Sequence, residues 1–371
     1  MYDVIIVGGG VAGCRLAALL GEATDLSILL LEKNKNIYLK DSGIVSSHIT
    51  DFLPDRKLIE HDISEMVARS PGGHEITLRS FRPFAHILKR VAFSKFLREA
   101  AEKRVDTAYE TVISIQKHQT FFIVSTTRGE YRCRFLIGAD GAYSLVRRSL
   151  GIAPPHLYHG ILVRTRQRLG SGPITVHFHK HYSPDFFSWI IPQTNEYGIV
   201  TSYRPRDYFL HFRKTFSLPP GDIHAYLLPL GTTRSYADRS MLVGDACGQS
   251  KPLTGGGIIF SLRAAGYAAE VIGRAFDEQR FDRSFLSLYE FLWKRRMGRE
   301  ISQQLLARRL YRRMTNRDID RLFLELGPYV TRIEEFDYDH LSQLVSKMPK
   351  WHLFKYLVKN MSLVFSAGHY V

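Results

Sequence analysis

The first 32 residues limit this chain more than any other stretch. Val4-Ile5-Ile6-Val7 is a short, continuous apolar run, as expected of a parallel strand covered on both faces. Gly8, Gly10 and Gly13 follow at the spacing G-x-G-x-x-G, and Val11 to Leu20 carries a helical pattern. Gly8 permits a tight turn, and Gly10 lets the backbone approach a pyrophosphate. Gly13 allows close packing of helix on strand, with the phosphates on the helix N-terminus. A second apolar run, Leu26 to Leu31, ends in Glu32, 19 residues after Gly13, where a carboxylate would accept from ribose hydroxyls. The glycines alone could be a turn that merely packs. Strand, glycines, helix, strand and acid in that order predict a dinucleotide site. The acid suits a free ribose better than a 2′-phosphate, so FAD or NAD is expected over NADP.

Length and composition bound the rest. A chain of 371 residues can hold two or three modules with sizeable cores. Cys14, Cys133 and Cys247 are far apart and odd in number, which argues against a disulfide framework or a metal cluster and suits a reducing cytoplasm. Asp3 stands where a signal peptide needs a basic residue, and glycines interrupt the apolar run. No uninterrupted apolar segment reaches the length of a membrane span. The net charge of +15 favours an acidic partner. Lys294, Arg295, Arg296, Arg299, Arg308, Arg309, Arg312 and Arg313 are opposed there by one acid, Glu300. Leu292, Met297, Ile301, Leu305 and Leu310 recur at near-helical spacing, so one face can pack while the arginines crowd the remaining surface. A plain solvated helix face is the competing reading. No aromatics interleave with these arginines, and a nucleic-acid partner is not expected.

Further along, Asp41 to Ser46 reads as a turn and Arg90 to Leu97 as the start of an amphipathic helix. Thr111–Ile115, Phe121–Thr127 and Tyr131–Ile137 form a meander ending in Gly138-Ala139-Asp140-Gly141. From His156 to about Asp222 aromatic-rich alternating strands predict a second, substrate-facing sheet. Leu242-Val243-Gly244-Asp245 and Pro252 to Ile258 then resume the α/β pattern, a long helix runs to about Phe276, and beyond Phe285 the chain reads as helical to its end. A carboxylate at a strand's end, Asp245, can bind a sugar-alcohol chain. A triple glycine opening a helix offers bare N–H groups, and reduced flavin is anionic at its N1–C2=O edge. Asp245 alone could be a helix N-cap. Joined to the N-terminal unit, the set specifies flavin. The expected architecture is α/β: a Rossmann-like FAD-binding domain from 1–153 and 228–290, an antiparallel substrate sheet over 154–227 with contributions from 39–83, and a C-terminal helical region, 291–371.

With these residues in view, the chain resembles the geranylgeranyl reductase family, within the para-hydroxybenzoate-hydroxylase-like flavoprotein superfamily. Gly8 to Gly13, Gly138 to Gly141 and Gly244-Asp245 carry the superfamily likeness. Pro184-Asp185-Phe186-Phe187-Ser188-Trp189-Ile190-Ile191-Pro192 resembles the family's P-x-x-Y-x-W-x-F-P, with Phe187 for Tyr and Ile191 for Phe. Pro252 to Ile258 and Arg90-x-x-Phe93-x-x-x-Leu97 are also family-like, and the likeness covers about residues 1 to 275. Two departures stand out. Many family members have a cysteine in the turn after the first acid, whereas Lys40 to Gly43 has none; Asp41 or Ser42 could replace it. Phe187 lacks a hydroxyl.

The resemblance implies non-covalent, extended FAD, with Glu32 at the adenosine ribose and Ala12 and Gly13 at the pyrophosphate. It sets Arg90 near the phosphates, Asp245 at the ribityl end, and Gly256, Gly257 and Ile258 at the isoalloxazine edge. Gly8, Gly10, Lys33, Ser42, Gly43 and Val112 complete the cofactor set, and no metal is expected. Family members reduce isolated double bonds of prenyl chains, and most are peripheral to membranes. The implied partners are a prenylated lipid or other isoprenoid substrate, an anionic membrane surface, and an electron donor, either a ferredoxin-like protein or reduced nicotinamide. The implied location is the cytoplasm, with a peripheral seat on the membrane face left open. Hydride addition to such an alkene is easiest if a proton arrives early, and aromatic faces tolerate the cationic character that results. Phe186, Phe187, Trp189 and Tyr203 are candidates for that lining, against a bland reading as sheet core. The expected catalytic set is Phe187, Trp189 and Asp41. Phe187-x-Trp189-x-Ile191-Pro192 also resembles the W-x-W-x-I-P of flavin-dependent halogenases, which use a lysine beside a channel. An aromatic hydroxylase is a third reading, and a flavin- or lipid-binding protein without turnover a fourth. The tail residues Trp351, Phe354, Lys355, Tyr356 and Lys359 could assist at an interface.

Overall fold

The computed structural model describes residues 1–37 and 41–351. Val4, Ile5 and Ile6 are fully buried, as a strand with cover on both faces requires. The strand Tyr2–Val7 lies at the centre of an eight-stranded sheet, parallel to Ile28–Glu32 on one side and to Glu130–Gly138 on the other. Val4 and Ile6 face the helices Val11–Ala23 and Ile258–Asp277, while Ile5 and Val7 face Phe122 and Val124 of the hairpin that branches from Glu130–Gly138. The chain leaves the central strand in opposite directions along the sheet, so its C-terminal end is a switch point, where such sheets bind ligands. Gly8 turns there with φ +106°, and a Cβ on it would lie 2.3 Å from Ala139 O.

A seven-stranded sheet stands over that end. Its strands run in the order Asp222–Leu230, His156–Arg164, Glu196–Thr201, Ser188–Ile191, Ile174–His177, Glu65–Arg69 and Glu75–Arg79. All pairings are antiparallel except that of Ile174–His177 with Glu65–Arg69. The expected boundary at 227/228 falls inside Asp222–Leu230, which pairs along its whole length with His156–Arg164. Side chains alternate across the sheet. One face presents Met66, Ala68, Ile174, Val176, Trp189, Val200, Tyr226 and Leu228 to a single cavity. Tyr226 and Trp189 lie flat because each is paired across the ladder with a glycine. A Cβ on Gly160 would sit 2.1 Å from Tyr226 Cζ, and one on Gly198 2.4 Å from Trp189 Cζ2.

The C-terminal region departs from the expectation of helix to the end. Arg283–Trp293, Arg299–Arg313 and Asn316–Val330 are helical, but 333–341 is an irregular strap. Phe336 and Tyr338 alternate there with Asp337 and Asp339, a period that suits extended chain and not a helix. Phe336 and Tyr338 pack on Phe84 at ring separations of 4.8 and 5.8 Å. Asp339 is buried, accepting from Lys251 Nζ at 2.9 Å and from Ser46 Oγ at 2.7 Å. Of the expected interfacial tail, Trp351 is exposed, while Phe354, Lys355, Tyr356 and Lys359 lie outside the described residues. No helix among the described residues is long and apolar enough to cross a membrane.

Candidate active site

The space between the two sheets is one cavity of about 760 Å³. At one part of its wall two helices begin. The N-terminal residues Gly10 of Val11–Ala23 and Gly257 of Ile258–Asp277 provide no side-chain cap, so the first-turn N–H groups of both helices are left for a ligand. The helices pack on each other, which brings both positive ends to the same cavity. A Cβ on Gly10 would meet nothing within 4 Å, an open cradle, whereas one on Gly13 would lie 1.8 Å from Gly8 O. Gly13 therefore packs behind the wall while Gly8, Gly10 and Ala12 form it.

Glu32 and Lys33 line the same cavity, and Glu32 Oε2 accepts from the Gly9 N–H at 2.7 Å. Ser42, Gly43, Val112, Asp245, Gly256 and Ile258 are also in its wall. Asp140, in the Gly-Ala-Asp-Gly turn, is a further acid in the cavity wall. Its Oδ2 caps Leu145 and Val146 N–H at 2.7 and 3.1 Å, and its Oδ1 has no partner. These features fit a dinucleotide cofactor: two bare helix ends for anionic groups, an acid at the end of the second strand, and glycines where a side chain would intrude.

Asp41 and Arg90 meet in a two-pronged ion pair, Nε to Oδ1 at 2.7 Å and Nη2 to Oδ2 at 2.8 Å. Arg90, expected near phosphates, is thus committed to Asp41, although both line the cavity. Burial pushes the Asp41 carboxyl up, but Arg90 and the Gly43 N–H more than offset this and leave it below its usual range. What surface Asp41 retains faces the cavity. Behind it lies Glu196, fully buried, with Oε2 3.2 Å from Arg164 Nε and Oε1 without a partner. Burial, helped by the charge on Asp41, raises Glu196 to about 7 against the pull of Arg164. The Trp189 indole N–H is close enough to lower it somewhat but makes no well-formed hydrogen bond.

Phe186, Phe187 and Trp189 line the cavity as a run of aromatic rings, with Phe186 and Phe187 centroids 4.5 Å apart. Tyr203 is corrected: it lies outside that wall, 48% exposed, edge-on to Tyr208. It sits just past the end of the strand Glu196–Thr201, beyond the last inward-facing position. Arg308 is a second correction. It does not join the surface arginines but is buried, its guanidinium 3.7 Å from the Phe186 ring centre. It donates to the carbonyls of Pro252, Asp185 and Leu253, and burial lowers it to about 10. The sign was in the spacing: Met297, Ile301, Gln304 and Arg308 fall on one helix face, and all four are buried. Tyr338 and Leu341 of the strap also line the cavity.

Two negatives bear on chemistry. Burial pushes the Cys14 and Cys133 thiols up to about 12 and raises Cys247 as well, so none is a ready nucleophile. Among the described residues Lys33 is the one lysine in the cavity wall. Lys251 is paired with Asp339, and Lys180 donates to Pro184 O and Tyr311 O.

Comparison with known proteins agrees with this picture. Residues 3–172 match the family described as lycopene cyclase protein. The chain is 27% identical to digeranylgeranylglycerophospholipid reductase 2 of Methanothermobacter thermautotrophicus, over 88% of this chain and 91% of that one. A geranylgeranyl bacteriochlorophyll reductase-like structure from Thermoplasma acidophilum superposes with a TM-score of 0.84 at 19% identity, covering 98% of this chain and 99% of that one. A flavin-dependent brominase follows at 0.68 and 18% identity, covering 97% and 99%. The fold is that of these two structures.

Proposed function

We propose that the chain is a member of the geranylgeranyl reductase family of flavoproteins and that it saturates carbon–carbon double bonds in the prenyl chains of a lipid, with FAD as its cofactor. The observation that carries this reading is the two-sided wall of the cavity. One side is polar backbone at two helix N-termini; the other is a continuous apolar sheet face with an aromatic run. A small polar substrate would leave that face unsatisfied, whereas an isoprenoid chain matches it.

In this reading Gly10 and Ala12 would hold the pyrophosphate, with Gly13 setting the helix close. Glu32 and Lys33 would hold the adenosine ribose, Asp245 the ribityl chain, and Gly256, Gly257 and Ile258 the ring edge. Ser42, Gly43, Arg90 and Val112 complete the cradle. Bound and reduced, the flavin supplies a hydride. Phe187 and Trp189 bound the substrate chain and exclude water, and Asp41, held ionised by Arg90, keeps negative charge beside the site where positive character develops. Residues 1–153 and 231–290 would carry the cofactor, with the substrate sheet running to Leu230. Among the described residues, the aromatic part of the wall has no lysine such as the halogenase reading needs.

The electron donor is a ferredoxin-like protein or reduced nicotinamide, and the exposed arginines of 295–313 seat the enzyme reversibly on the anionic cytoplasmic face of a membrane. Reduced protein incubated without oxygen with prenylated phospholipid is expected to add two hydrogens per double bond, read by mass spectrometry. Turnover that requires oxygen would instead favour the halogenase or hydroxylase alternative.

A further inference from the structure

Saturating an isolated alkene needs a hydride and a proton, and beside the aromatic part of the wall neither Asp41 nor a thiol is placed to give the second. Asp41 is ionised by Arg90, and the three thiols are buried and raised. We propose that Glu196 is the acid of this site: a neutral carboxyl stored behind Trp189 that protonates the alkene carbon opposite the one receiving hydride. The inference rests on the reductase reading above and names a residue that its sequence motifs do not contain.

The geometry carries it. Glu196 opens the strand Glu196–Thr201, and Gly198 and Val200 are the next two positions on its inward face. Val200 lines the cavity, and Gly198 lies under the Trp189 ring, which also lines it. Glu196 therefore stands on the cavity-side face of an otherwise apolar strand, one layer behind the wall and next to Trp189, fully buried, with Oε1 lacking any partner. Burial and the unpartnered oxygen disfavour the carboxylate more than the ion pair with Arg164 at 3.2 Å favours it. The groups facing it come from every neighbouring element: Arg164 from the adjacent strand at 3.2 Å, Asp41 from the turn, and Trp189 and Tyr226 from the sheet. Arg164 also donates to Asp41 O at 3.1 Å, so the two acids share one frame.

Their surroundings push them apart, Asp41 down by its arginine and Glu196 up to about 7 by burial. Such a divergence between neighbouring carboxyls marks which is base-like and which is acid. In the step, the alkene π bond breaks. One C–H bond forms with the hydride that reduced flavin supplies, and the other with the proton of Glu196. The Glu196 O–H bond breaks, Arg164 holds the resulting carboxylate, and solvent later restores the proton.

The test has one arm that does not depend on turnover. A carboxyl that keeps its proton to about 7 in the fold, but to about 4.5 in the open chain, makes the folded state bind more protons between those values. Stability is then lost as pH rises from 4.5 to 7 and is level above. The urea midpoint of wild type is expected to fall over that window relative to Glu196→Gln, which keeps the shape and cannot ionise. Parallel curves would mean Glu196 is already ionised in the fold and would overturn the proposal. If Glu196→Gln does not fold, a protonated-carboxyl infrared band of wild type that vanishes between pH 6 and 8 is the supporting result, and its absence the opposing one.

In single turnovers on a prenylated phospholipid, Glu196→Gln is expected to lose roughly 10²- to 10³-fold in rate with KM nearly unchanged. The wild-type rate should fall above pH about 7, and the residual rate should be flat. Full activity in Glu196→Gln, or a comparable loss in Tyr226→Phe alone, would move the acid elsewhere. Wild type that reduces no prenyl bond would sink the reductase reading, while the stability arm alone would still decide whether Glu196 stores a proton.

Discussion

At the residue scale Arg308 shows how far composition can mislead. A run of arginines reads as a solvated face, yet this one spans the cavity wall and ties three carbonyls, two of them in the Pro252-Leu253 turn before the glycines. Met at this position keeps the bulk over Phe186 and removes every donor. Arg308→Met should cost on the order of 3 kcal/mol in urea unfolding, because three buried acceptors lose their partner together. A cost below about 1 kcal/mol would mean that the carbonyls find other donors. Glu196 was harder to read in advance. A charged residue at a strand's first position looks like a solvated end, and only the packing of Trp189 over Gly198 makes that position interior. By contrast the placement of Gly8, Gly10, Gly13 and Glu32 at the end of the first strand was legible, because it depends on local backbone encoded within one strand–helix unit.

At the scale of elements, strands and helices whose burial follows one period could be read directly. The first strand, the long helix Ile258–Asp277 and the inward residues of the second sheet are of this kind. The strap 333–341 could not be read, since its place depends on Phe84, Lys251 and Ser46, three partners far away in sequence. Asp245 tests the element that opens with Gly257, whose added Cβ would lie 3.1 Å from Asp245 Oδ1. Asp245→Ala is expected to fold but purify largely colourless, as judged by flavin absorbance, and full occupancy would discard its assigned role. The basic helix invites a separate measurement. Arg295, Arg299, Arg309 and Arg313 are exposed, unlike Arg308. Replacing these four by Gln should weaken sedimentation with anionic liposomes, by about 1 kcal/mol for each arginine that faces the lipid. Binding equal to wild type would leave them a solvated face.

For the whole molecule, the two helix N-termini that meet at the cavity have a consequence in time. One begins at Val11 and the other at Ile258. During synthesis at roughly 5–20 residues per second, about 10 to 50 seconds separate their emergence. Until the second arrives, the first helix lacks one of its packing partners and the anion cradle has only one of its two positive ends. A nascent chain thus passes through a period in which apolar surface meant for Ile258–Asp277 stands open. The cofactor, which gains its full set of contacts only afterwards, would act as a late ligand that draws the finished fold shut. The yield of folded protein from an expressing cell should accordingly follow its flavin supply.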